Sequence, residues 1–263
     1  MDTLWSPICD QLGIKVPIFG FAHDIATVAA ISNAGGYGVY GATRRFPDEI
    51  TQELAQIKAL VGERPFGVDL VLPPGMPEHD SREAIEIDIP DEHKAFVQSI
   101  IEQYNIPPAT QPGMRTRFIR SAEIEAAQIK SVLASPVNMF ACGIGAPAPV
   151  IEAAKAQGMT TLALIGSPHH VARTIAAGVD IIVAQGYDAG AQTGTIGTYS
   201  LVPQIVEAAG NVPVLVAGGV ATGKHIAAAL AMGAQGVWMG TAWLFSEEHQ
   251  GHMHPINTQK LIE

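Results

Sequence analysis

Charge is scarce in this chain. Only 15% of its 263 residues are Asp, Glu, Lys or Arg, while 48% are apolar. That combination excludes a self-solvating disordered chain, which needs the opposite balance. The charge that is present has the wrong sign for nucleic acid. The formal net charge is -10, whereas a protein that displaces counterions from phosphates presents a basic face. Arg44-Arg45 and the group Arg115, Arg117 and Arg120 come nearest to a basic cluster, and both read as solvated surface. Cysteine is nearly missing too. Cys9 and Cys142 are too few for a disulfide framework or a cysteine metal motif, as expected in a reducing cytoplasm. No apolar run approaches the roughly 20 residues that cross a bilayer, and no charged-then-apolar leader opens the chain. The expectation is a compact cytoplasmic protein with no nucleic-acid and no membrane partner.

What is abundant is alternation. Eight short runs, nearly continuous in apolar residues, recur along the chain: residues 16–22, 38–42, 66–72, 137–145, 159–166, 180–186, 212–219 and 236–244. Continuous apolarity is the mark of parallel strands covered on both faces. Between them lie alanine-rich stretches with helical spacing, most closed by glycine. DIATVAAISNAGG places Ile25, Val28, Ala29 and Ser32 on one face. PDEITQELAQIKALVG opens with proline and carries acids in its first turn. In TYSLVPQIVEAAG, Pro203 predicts a helix that starts there or kinks there. Eight strand–helix alternations in a chain of this length predict an α/β fold, a (β/α)8 barrel, as one domain over residues 1–263. An open doubly wound sheet is the other architecture with this rhythm.

One connection is too long. Some 60 residues separate Leu72 from Val137, far beyond a short loop plus one helix. Helices are predicted around 91–104 and 121–134. The second serves as the ordinary crossover, so an insertion at about 73–120 remains between strands 3 and 4. It reads either as a lid over the barrel mouth or as a surface excursion.

In a barrel the chemistry sits at the carboxyl ends of the strands. The residues there are Ala22, His23 and Asp24 after strand 1, Asp69 late in strand 3, and Cys142 after strand 4. Gln185 to Gln192 follow strand 6, Gly218 and Gly219 strand 7, and Gly240 and Thr241 strand 8. Glycines at the last two strands suit a phosphate, because backbone N–H groups can approach an anion where no Cβ stands in the way. Glycines that merely permit tight turns would look the same.

These pieces, VPIFGFAHD, NAGGYGVYGA, RPFGVDLVL, AQGYDAGAQTG, PVLVAGGVATGKHI and GAQGVWMGTAWL, resemble the nitronate monooxygenase family over nearly the whole chain. The resemblance implies an FMN-dependent barrel. It places Ala22 and His23 beside the flavin ring, and Asp69 and Gln185 in contact with the cofactor. Gly190 lets its loop pass close, and Gly218, Gly219, Gly240 and Thr241 hold the phosphate. It also implies that such proteins continue past HPINTQKLIE. A small-molecule substrate such as a nitronate, and dioxygen, are the implied partners, with a second copy of the chain as a candidate for a homodimer.

The chain departs from the family pattern at Gln192, where the resemblance implies a histidine acting as base. An amide has no proton equilibrium near neutral pH and cannot abstract a proton. Gln192 and His23 are therefore the candidate catalytic residues: Gln192 to orient a nitro group, His23 as a partial substitute for the base, set against a structural role as a helix-capping or core histidine. The expected activity is oxidation of alkyl nitronates, which are already deprotonated. An FMN-dependent enoyl-thioester reductase and a specialised or non-catalytic FMN-binding barrel are the rivals. No metal is expected: His169-His170 are adjacent and point apart, and His249, His252 and His254 read as a solvated tail. Cys142 has no neighbouring cation to activate it and reads as a buried thiol.

Overall fold

The computed structural model describes residues 4–78, 81, 86–110, 118–252 and 254–263. Eight parallel strands close into a barrel: β1 (Ile18–Ala22), β2 (Tyr37–Gly41), β3 (Phe66–Val71), β4 (Met139–Gly143), β5 (Thr160–Ile165), β6 (Ile181–Gln185), β7 (Val214–Ala217) and β8 (Gly236–Met239). Each pairs with its neighbour in sequence, and β1 pairs with β8, with Phe19 opposite Trp238. All eight apolar runs become strands. The last is shorter than its run, because Thr241–Phe245 turns into a 3-10 helix. The expected barrel is therefore the observed architecture.

Side chains alternate across each strand. Phe19, Tyr37, Val39, Met139, Ala141, Leu162, Ile181, Val183, Leu215, Ala217 and Trp238 fill the interior. The helix α1 (Pro7–Leu12) brings Ile8 and Cys9 into that same cluster ahead of β1. The opposite faces, such as Tyr40, Val68, Leu70, Phe140 and Cys142, meet the surrounding helices. That outer layer holds α2 (Ile25–Asn33) and α3 (Pro47–Val61), then α5 (Ala122–Leu133), α6 (Ala148–Ala156), α7 (Val171–Ala176), α8 (Thr198–Ala209) and α9 (Gly223–Ala231). In α3 the buried residues Ile50, Leu54, Ile57 and Val61 recur every three or four positions. Each such burial contributes roughly 1.5–3 kcal/mol. The buried face of α2 is wider than its spacing suggested, adding Thr27 and Ile31. α8 runs through Pro203 rather than starting at it, giving up one ladder hydrogen bond.

The chain divides into two units. Met1–Pro74 with Gln128–Glu263 form the barrel unit, and Gly75–Ala127 form the second. In the second, α4 (Asp91–Gln103) buries no side chain and exposes Phe96, Val97 and Ile101. Its chain ends are tied by Ala122 N–H donating to the Pro77 carbonyl at 2.8 Å. Among the described residues, no helix is long and apolar enough to cross a membrane.

Two expected surface features are built into the barrel unit instead. Arg45 does not sit in solvent. Its Nε lies 2.8 Å from the Tyr40 hydroxyl and 3.1 Å from Glu53 Oε2, and Tyr40 itself donates to Glu53 at 2.6 Å. Arg44 is exposed, Arg115 and Arg117 lie outside the described residues, and Arg120 pairs with Glu125 at 3.3 Å. Nor is His249 part of a solvated tail. Its Nδ1 lies 2.8 Å from Asp24 Oδ2, and both side chains are largely buried. His254 caps the last helix α10 (Pro255–Ile262), its Nδ1 accepting from Ile256 N–H at 3.3 Å. The side chain of His252 lies outside the described residues.

Candidate active site

The carboxyl ends of the strands form a mouth that is apolar on most of its circumference. Phe21 and Trp238 stack with ring centroids 5.7 Å apart. The His23 ring stands edge-on to Phe21 at 4.9 Å. Gly41, Gly143, Leu164 and Ala217 continue the inward layer, by the alternation of their strands. Phe21 and Trp238 were not singled out in the sequence, although the spacing of VPIFGFA and GVWMGTAWL puts both on the inward parity.

Two polar side chains break this layer. Asp69, on β3, is 5% exposed. Its carboxylate oxygens lie 3.6 and 3.8 Å from where a Cβ would stand on Gly143, so it faces β4 inside the mouth. Burial raises its pKa to about 7, with the Gly143 backbone N–H pulling the other way. Gln185 ends β6 half-buried, opposite Ala217. Its side chain has no hydrogen bond among the described residues, so its amide is available.

His23 is held by its neighbour. Nδ1 lies 3.0 Å from the Gly41 carbonyl. A carbonyl only accepts, so Nδ1 is the donor in this contact and Nε2 is the nitrogen left for another partner. The glycine is required for this, because a Cβ at position 41 would stand 2.5 Å from His23 Nδ1. His23 is not the cap of α2. Asp24 is, accepting from Thr27 N–H at 2.7 Å. The Cβ of Ala22 packs with Val28, Ala29 and Tyr40 in the outer layer, leaving only its backbone towards the mouth.

The predicted phosphate residues converge. A Cβ on Gly190 would stand 2.9 Å from Thr241 Oγ1, which brings the β6 loop against the β8 loop. A Cβ on Gly218 would stand 3.1 Å from Ala189 N and 2.6 Å from Thr198 Oγ1, which brings the β7 loop against the same segment. Gly218 and Gly219 have φ of 108° and 71°, a region that L side chains enter only under strain. A Cβ on Gly240 would meet, beyond its chain neighbours, only Phe21 among the described residues, at 3.8–3.9 Å, so the space above it is open. This cradle exists only because side chains are missing from it, and it fits a phosphate approached by backbone.

Asp188 bears on how such a phosphate could be held. Its Oδ2 accepts from Thr198 N–H at 2.8 Å. That bond holds its carboxyl below the ordinary range, and it occupies the first N–H of α8. At α9, His225 Nδ1 likewise takes the N–H groups of Ala221 and Thr222, at 3.1 and 3.3 Å. Gln192 is exposed in the β6 loop and makes no hydrogen bond among the described residues. Cys142 points away from the mouth into the outer layer, its thiol pushed up by burial and then by the charge of Asp69.

Residues 7–263 match the model of the nitronate monooxygenase family. The chain belongs to the nitronate monooxygenase family. A Mycobacterium tuberculosis protein carrying the name monooxygenase Rv1533 is 40% identical over 251 residues, covering 92% of this chain and 66% of that protein. A Staphylococcus haemolyticus protein carrying the name nitronate monooxygenase is 33% identical over 268 residues, covering 92% and 68%. The chain thus spans about two thirds of the length of these relatives. Among solved structures, the nitroalkane oxidase of Streptomyces ansochromogenes superposes with a TM-score of 0.78 at 27% identity, over 97% of this chain and 72% of that one. FabK of Thermotoga maritima, at 24% identity and a TM-score of 0.75 over 99% and 68%, shares the fold.

Proposed function

We propose that this barrel binds FMN across its mouth and oxidises alkyl nitronates, with dioxygen as the final electron acceptor. The observation that carries the reading is the convergence of Gly190, Gly218 and Thr241 in one cradle beside an aromatic and amide-lined mouth. Gly218, Gly219, Gly240 and Thr241 would hold the phosphate through backbone N–H groups, and Gly190 would let its loop close over it. Asp69 and Gln185 would meet the polar edge of the ring. Phe21, Trp238 and the backbone of Ala22 would supply the uncharged slot that an isoalloxazine needs. Bound there, the flavin supplies a two-electron acceptor that dioxygen can reoxidise.

The chain's own residues set the substrate. Gln192 can donate its amide N–H to a nitro oxygen, but it cannot remove the α-proton of a neutral nitroalkane. The His23 ring is pinned through Nδ1 to the Gly41 carbonyl and so cannot swing to a new partner without losing that bond. A nitronate arrives without the proton and bypasses both limits.

The test is the absorption spectrum of the purified protein, mass identification of any released flavin, and anaerobic reduction by propane-2-nitronate, 2-nitropropane and NADPH in parallel. Fast reduction by the nitronate and slow reduction by the neutral form is the expected result. Reduction by NADPH alone would instead favour enoyl-thioester chemistry. A protein that takes up no flavin would end the proposal.

A further inference from the structure

Asp69 is more than a hydrogen-bonding edge. It is the only carboxylate on the inward layer of the mouth among the described residues, between Gly41 on one neighbouring strand and Gly143 on the other. The His23 and Phe21 rings stand over Gly41, while a Cβ on Gly143 would meet Val71 and Asp69 itself at 3.3–3.8 Å, and no described cation lies within ion-pair distance of Asp69. The titratable and charged groups nearest it in the fold lie on β2 and β4 and in the loops after β1 and β2. On β2, Tyr37 lies one layer below, against Gly67, its phenol pushed up and kept neutral by burial. On β4, Cys142 is likewise kept a neutral thiol, by burial and by the charge of Asp69. After β1, the His23 ring is tied to the Gly41 carbonyl. In the loop after β2, Arg45 is committed to Tyr40 and Glu53 in the outer layer. Nothing in this set fixes the charge of Asp69 permanently, and burial has already moved its proton affinity close to neutrality.

We infer that Asp69 takes up one proton from solvent when the flavin held in the mouth gains two electrons, and returns it when the flavin is reoxidised. The inference rests on the flavin reading above. Its physical basis is charge. Two-electron reduction adds negative charge to the ring, and an ionised carboxylate sharing the same poorly solvated mouth opposes that addition. Protonation of one Asp69 carboxylate oxygen removes the opposition. The electron pair comes from the nitronate and leaves to dioxygen. The proton comes from water and goes back to it, so charge at this residue balances over each cycle.

The experiment is the midpoint potential of the FMN-loaded protein followed from about pH 6 to 9, where an acid of this kind titrates, in the wild type and in Asp69→Asn. The wild type is expected to take up one more proton per two electrons than the variant. That makes the reduction equilibrium tenfold more sensitive per pH unit, or about 30 mV steeper. Infrared difference spectra of the wild type labelled with 13C-aspartate should gain a carboxylic-acid band on reduction. Asp69→Glu should keep the steep slope with its break moved in pH, and Asp69→Ser replaces the Asn variant if that one loses flavin. Equal slopes, or a difference spectrum without the labelled band, overturn the inference and leave the flavin reading intact. A wild type that retains no flavin overturns both.

Discussion

At the scale of single residues, the mouth is decided by a few atoms. The Gln192 side chain offers hydrogen bonds but no base, so Gln192→His is expected to raise turnover of neutral nitroalkanes by about 10²–10⁴-fold, the usual worth of a positioned general base. Turnover of the corresponding nitronate should change far less, and steady-state rates on the two forms check this. Gly218→Ala is expected to abolish FMN retention, because the new Cβ meets Thr198 Oγ1 at 2.6 Å in a backbone conformation alanine resists. Equilibrium dialysis with FMN reads it directly. Asp69 gives a pH effect of definite sign in the flavin-free protein. Its folded pKa of about 7 exceeds the roughly 3.9 of an unfolded aspartate. The folded state therefore binds more protons between these values, and stability contributed by this group is lost as pH rises through that window. Asp69→Asn should flatten the profile of Tm against pH over that range and raise Tm at pH 8 by several degrees.

At the scale of elements, the strands were legible and the tertiary polar contacts were not. Continuous apolar runs mark buried parallel strands wherever they occur, so all eight could be found without knowing their neighbours. The pairings Asp24 with His249 and Arg45 with Tyr40 and Glu53 carry no such local signature. The first joins residues 225 apart in sequence. Asp69 and Gln185 were legible as strand-end polar residues. The aromatic stack of Phe21 on Trp238 was not, since it depends on closure of β1 against β8. α2 offers a further test. Thr27 Oγ1 is buried with no partner among the described residues. It lines a groove of about 230 Å³ with Ile18, Ile31 and Trp243. Thr27→Val keeps the shape and removes an unsatisfied hydroxyl, so it should stabilise the protein by about 1 kcal/mol in chemical denaturation. Between α6 and β6, Asp180 accepts from Lys155 at 2.6 Å and from Thr161 N–H at 2.9 Å. Burial alone would raise its carboxyl, but these bonds together outweigh burial and hold it below the ordinary range. The stability it contributes is present above the unfolded pKa and fades as pH falls through the folded one. Asp180→Asn should therefore lose stability at pH 7 and lose less below pH ~3.

At the scale of the whole molecule, cofactor and fold should be linked. A ligand that binds only the folded barrel adds stability in proportion to its occupancy. FMN at 100 times its dissociation constant should contribute about 2.7 kcal/mol and raise Tm by roughly 5–10 °C, while riboflavin, without the phosphate, should do less. Differential scanning fluorimetry with both ligands separates the cradle's share from that of the ring. Of the strand pairings, seven join neighbours in the order of the chain, and only β1 with β8 brings distant segments together. Contacts of short sequence separation form early, and remote ones pay a larger loop-closure cost. The circle is therefore expected to assemble like a bracelet, link after link, with one clasp left to fasten. Asp24 and His249 sit beside that clasp and pin it from outside. Pulling the molecule apart should begin there, and a cross-link between residues 24 and 249 should slow its opening more than one placed anywhere else on the ring.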